Sequence, residues 1–128
     1  MKSENMLYFN TLEKLDAMGM IGLAWVIFGG FLEPLWVIGL KKYSEKKSKL
    51  VLLITIILMY ISPMCIAFGM QDGMSVGVAY SIWTGLGAVF SVAAGFYLFK
   101  EKMDRLKIIF IMMIITGVVG LELSAVVM

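Results

Sequence analysis

The chain alternates long apolar runs with short polar interruptions. Residues 21–40, 50–70, 76–99 and 106–128 are each almost entirely apolar. Each is long enough for a spanning helix, which needs about 20 mostly apolar residues. Backbone groups inside lipid must find partners within their own segment, so helices are predicted rather than open strands. The alternating short strands of a membrane barrel are absent from the sequence. The short connections predict antiparallel neighbours. The fold class is therefore an all-α membrane protein with four transmembrane helices. It divides into an N-terminal extension, residues 1–19, and a four-helix transmembrane domain, residues 20–128.

Composition agrees. Of 128 residues, 61% are hydrophobic and 16% are charged, against roughly half apolar in a soluble domain. Cys65 is the single cysteine, which excludes an internal disulfide framework, and no metal-ligand spacing is present. No metal or cofactor is expected. An enzyme is disfavoured, because no nucleophile–base pair can be assembled. The slight positive charge does not point to nucleic acid, since the basic residues flank the spans.

Charge placement predicts orientation. The first loop carries Lys41, Lys42, Lys46, Lys47 and Lys49, and the third carries Lys100, Lys102, Arg105 and Lys107. The second, around Gln71 to Ser75, carries neither lysine nor arginine. The positive-inside rule puts the first and third loops in the cytoplasm and both termini outside. Residues 1–19 read either as a loosely held polar leader or as a short interfacial helix. On the second reading Leu12, Leu15 and Met18 share a face, with Glu13, Lys14 and Asp16 elsewhere.

Glu33 stands out, being the only ionisable side chain between Asp16 and Lys41. A carboxylate at bilayer depth is costly and marks an ion pathway, a proton relay or a partner for a cation. The alternative is a structural carboxylate bonded to a neighbouring helix. The chain contains no histidine, so any proton handled near neutral pH falls to a carboxyl group. Gly30 and Trp36 lie one helical turn to either side on the same face. Tyr80 and Trp83 are paired in the same way on the third span. Their rings could attract a cation, or pack, or anchor the helix at the interface. Trp25 reads as an interfacial anchor, Cys65 as a small apolar packer, and Glu122 as a residue near the outer interface. Glu101 and Asp104 read as surface partners of the third-loop cations. Pro34 removes a backbone donor and frees the Gly30 carbonyl, predicting a kink beside Glu33.

Small residues form two patches. Gly87, Ser91 and Gly95 recur at four-residue spacing on the third span, with Gly85 nearby, and read as helix packing or as a hinge. Gly117 and Gly120, with Thr116, form the second patch on the fourth.

Several of these residues fall into a recognisable order. Gly30-x-x-Glu33-x-x-Trp36 comes first, then Lys41, then Ala79-Tyr80-Ser81-Ile82-Trp83-Thr84-Gly85-Leu86-Gly87. Phe99-Lys100-Glu101 and Gly117-Val118-Val119-Gly120-Leu121 follow. This order resembles the small multidrug resistance family over residues 21–124, and Trp36 three residues after Glu33 resembles its guanidinium-exporter subtype. The resemblance implies an antiparallel dimer of four-helix subunits in the bacterial inner membrane, exporting small organic cations in exchange for protons. It implies Glu33 as the shared proton and cation site, with Gly30, Trp36, Ser62, Tyr80 and Trp83 lining the pocket and Gly117 and Gly120 at a subunit contact. Pro34 and Ser75 depart from the family pattern, which mostly has an aliphatic residue and a proline there. The stretch between Ser62 and Tyr80 is also slightly longer than usual.

The one-sided loop charges predict a single insertion orientation, so the antiparallel mate is expected to be a second, different chain of the same family. The functional expectation is one subunit of a proton-coupled exporter of guanidinium-type cations. The alternatives are an exporter of quaternary ammonium or aromatic cations, which Trp36 disfavours by narrowing the pocket, and an accessory subunit that fixes a partner's topology. A lipid-carrier flippase subunit is a further possibility, against which the intact Tyr80-to-Gly87 motif argues.

Overall fold

The computed structural model describes residues 2–127, with the side chains of residues 11, 14–18 and 125–127 outside the described set. Four helices follow one another: α1 (Lys2–Lys46), α2 (Lys49–Gln71), α3 (Val76–Phe99) and α4 (Arg105–Val127). Each contains a stretch long and apolar enough to cross a membrane. Short connections join them, and no strand occurs among the described residues.

α1 is longer than its apolar run. It continues without a break from Lys2 through the span to Lys46, so residues 2–19 belong to the same helix as the span. At a rise of about 1.5 Å per residue its length is roughly 67 Å, about twice the hydrocarbon thickness. Leu12 and Glu13 are exposed. The expected face formed with Leu15 and Met18, and the placing of Lys14 and Asp16, lie outside the described side chains. α1 also absorbs most of the first basic loop. Only Lys47 and Ser48 separate it from α2, and Lys47 turns the chain in the left-handed region at φ 53°.

α1 and α2 meet along a seam of small residues. A β-carbon on Gly22 would lie 2.9 Å from the Gly69 carbonyl oxygen, and one on Gly29 would lie 2.7 Å from the Cys65 β-carbon. Further along, Gly39 faces the Thr55 side chain. Lipid tails give helices no hydrophobic reason to associate, so close backbone approach through small residues supplies the attraction. Cys65 is buried here as an apolar packer, its thiol donating to the Ile61 carbonyl at 3.5 Å.

α3 closes the three-helix unit. Val26, Ile66, Ala79 and Ile82 form the buried core, with Leu23, Val78, Trp83 and Leu86 against it. Ser75 caps α3, its hydroxyl accepting from the Val78 N–H at 3.4 Å, so this departure from the family's proline supplies a helix-starting acceptor. Asp104 does the same for α4, accepting from the Lys107 N–H at 2.8 Å. The expectation that Asp104 only balances loop charge misses this role. Among the described residues α4 packs on α3 alone, and no residue of its span is fully buried.

Candidate transport site

Glu33 lies midway along the α1 span, half-buried on the side that meets α3. A β-carbon on Gly87 would overlap its carboxylate, so α3 offers the acid a bare stretch of backbone. Glu33 Oε2 is buried and has no hydrogen-bond partner among the described residues. That argues against a structural carboxylate tied to a neighbouring helix, because a buried polar atom without a partner is costly.

Ser62 organises the wall beside it. The hydroxyl is fully buried, donates to the Gly29 carbonyl on α1 at 2.8 Å and accepts from the Trp83 indole N–H on α3 at 3.1 Å. One side chain thus joins three helices one turn from Glu33. Trp83 is held by this bond, leaning on Tyr80 with ring centroids 5.8 Å apart.

The other expected residues are placed as follows. Gly30 is buried and meets α3, where a β-carbon would stand 3.2 Å from that of Leu86. Its role within the chain is close helix approach. Trp36 is half-buried, and its indole N–H is buried without a partner among the described residues. Tyr80 is 55% exposed. Ser91 lies one turn beyond Gly87, with its hydroxyl oxygen also buried and unpartnered among the described residues. Gly95 packs under Glu101, and Gly85 packs under Val118 of α4. Gly117 and Gly120 have open space around them.

Pro34 is buried inside α1, which runs on through it. Lacking an N–H, it leaves the Gly30 carbonyl without its usual helical donor. Trp25 leans on Phe68 with centroids 4.9 Å apart. Glu122 is half-buried in α4 and its Oε2 has no partner among the described residues. Among those residues no cluster of histidine, cysteine or acidic side chains could hold a metal.

Sequence reading missed Gly29. It sits at the crossing of all three helices, where a β-carbon would meet Cys65, the Ser62 carbonyl and Trp83. The available signal was the Gly29-Gly30 pair itself, in which the two glycines serve different neighbours.

Comparison with known proteins decides the lineage. Residues 21–114 match the family described as Small Multidrug Resistance protein. The chain belongs to the small multidrug resistance family. Among its relatives are proteins named guanidinium exporter. The one from Yersinia pseudotuberculosis is 37% identical over 106 residues, covering 80% of this chain and all of the relative. The one from Salmonella typhimurium is 38% identical over 106 residues, covering 80% and 99%. That from Escherichia coli K12 is 35% identical over 105 residues, covering 80% and 98%. A small multidrug resistance protein is a multi-pass membrane transporter rather than an enzyme, and so is this chain.

Proposed function

We propose that this chain is one subunit of an antiparallel dimer that exports small guanidinium-type cations in exchange for protons, with Glu33 as the group both ligands share. The observation that carries the reading is the Glu33 carboxylate, with one oxygen buried and unpartnered against bare α3 backbone. A guanidinium offers planar paired donors that match such a carboxylate. A proton occupies the same oxygens and removes their charge, so the two ligands exclude each other. Leaving the acid charged and empty is costly at bilayer depth, which favours exchange over leak. The relatives named guanidinium exporter support this substrate class.

Pocket size points the same way. Trp36 stands one turn from Glu33 with its indole N–H turned inward, and a large side chain there favours a small flat cation over bulky quaternary ammonium compounds. Neither Pro34 nor Ser75 supports a purely accessory role, since the first fits within an unbroken helix and the second caps α3.

The mate is a second chain of the family with opposite loop bias. The lysines and arginine of the first and third loops hold those loops in the cytoplasm and both termini outside, so one polypeptide does not insert both ways. The open glycine face of α4 and the exposed Tyr80 are the surfaces such a mate would cover.

The test is proton-coupled current from reconstituted protein on adding guanidinium, with the candidate mate present. Current is expected from the wild-type pair and not from the pair carrying Glu33→Gln in this chain. Full current from the variant rejects the reading. Labelling of tagged termini from each side checks the topology, and equal labelling from both faces rejects a fixed orientation.

A further inference from the structure

A small cavity of about 70 Å³ lies between α1 and α3, on the side of Glu33 that leads to the basic loops. Pro34 and Ser91 line its inner part and Lys41, Gly95, Phe99 and Glu101 its mouth. Its volume suits about two water molecules. The buried Ser91 hydroxyl oxygen, unpartnered among the described residues, gives its inner wall a polar group.

The mouth is assembled from groups that recognise cations. The Lys41 ammonium lies 3.9 Å from the centroid of the Phe99 ring and 3.9 Å from Glu101 Oε1. An aromatic face and a carboxylate are the two partners a small organic cation prefers. The chain is shaped to bring them together. Lys100 adopts the left-handed conformation at φ 52°, and the Glu101 N–H turns back to the Gly95 carbonyl at 3.1 Å. The Glu101 carboxylate then lies where a side chain on Gly95 would stand, with Oε2 2.6 Å from a β-carbon built there.

We propose that this mouth is a second cation site, an antechamber to Glu33, where a guanidinium-type cation displaces the Lys41 ammonium from the Phe99 ring and the Glu101 carboxylate. It rests on the export reading and adds a station to it. Lys41 acts as a built-in stand-in for the substrate. The Lys41 and Glu101 side chains are 42% and 52% exposed, so water screens their attraction and the exchange costs little. A planar cation can lie on Phe99 while bonding Glu101 through paired donors, a geometry closed to an ammonium on a tether. Once Lys41 swings out, Ser91 and the carbonyl freed by Pro34 lie on the inward side, towards Glu33.

The site can be tested without transport. The probe is guanidinium chloride, titrated against the full-length chain in lipid bicelles with Phe99 isotope-labelled, at an ionic strength held constant with sodium chloride. All samples carry Glu33→Gln, so the central site is silent. A saturable shift of the Phe99 ring resonance is expected. Adding Glu101→Gln should abolish it, and adding Lys41→Met should tighten it at least about threefold by removing the competitor, an easily read change in affinity. Unchanged helical circular dichroism confirms that the variants fold. No saturable response at Phe99, a response indifferent to Glu101→Gln, or one not tightened by Lys41→Met overturns the antechamber. Because Glu33 is absent throughout, that failure is distinct from failure of the export reading, which is read as missing current in the wild-type pair.

Discussion

Gly87 and Glu33 share one place: the carboxylate of the acid occupies the space that a β-carbon on the glycine would need. Helix α3 is therefore bare where the acid lies against it. Gly87→Ala should displace the carboxylate while leaving the helices formed, since forced overpacking costs about 1–3 kcal/mol. Guanidinium-driven current is expected to fall at least about tenfold, with helical circular dichroism unchanged. Wild-type current from this variant would mean that the acid need not rest on α3.

Ser62 holds Trp83 and Gly29 together through one hydroxyl. Ser62→Ala leaves a part-buried indole N–H without this partner, at a cost of up to about 1–3 kcal/mol. Thermal unfolding in detergent should show the loss. Ser62→Ala combined with Trp83→Phe should be less harmful than additivity predicts, because no donor is stranded in the pair. Strict additivity would argue that the hydroxyl bridge carries no coupling.

Proton and cation compete at Glu33 in the proposed cycle, and that fixes a sign. Protonation neutralises the carboxyl, so apparent guanidinium affinity should fall as pH falls. The limit is about tenfold per pH unit once the protonated form predominates. Binding titrations across pH check this. In Glu33→Gln the dependence should vanish at the central site, and an unchanged slope there would place the competing proton elsewhere.

Trp36 should act as a size filter. Trp36→Ala widens the site, lowering current from guanidinium and raising it from tetra-alkylammonium ions. A shift of at least about tenfold in relative preference corresponds to roughly 1.4 kcal/mol. Parallel current measurements with both ions decide it.

Gly85 is one point at which α4 meets α3 closely. A β-carbon there would run into Val118, so Gly85→Leu should push α4 off α3 and lower the unfolding temperature. Adding Val118→Ala should restore part of the loss, and no restoration would locate the damage elsewhere.

The spans and the acid were legible in the sequence because lipid imposes harsh rules on both. An apolar run of about 20 residues has few other uses, and a lone carboxylate within one stands out. The grouping of Ser62 with Trp83 followed from the family resemblance, and the structure brings the two into hydrogen-bond contact. Gly29 and the Lys41–Glu101 contact were not legible, because each depends on which helix faces which, and periodicity does not encode that. Capping by Asp104 was overshadowed by the charges around it. Tyr80, expected at the pocket, is exposed in this chain and leans on Trp83, which bonds Ser62.

The glycine seam between α1 and α2 has a mechanical consequence. It is pinned at three heights, by Gly22 against Gly69, Gly29 against Cys65 and Gly39 against Thr55. Sliding one helix along the other would drag glycine backbone across tightly fitted neighbours at every pin. In the proposed exchange cycle, turning Glu33 from one side of the bilayer to the other would therefore mean tilting both helices together as a single plank, with the give located where α4 hangs on by one edge.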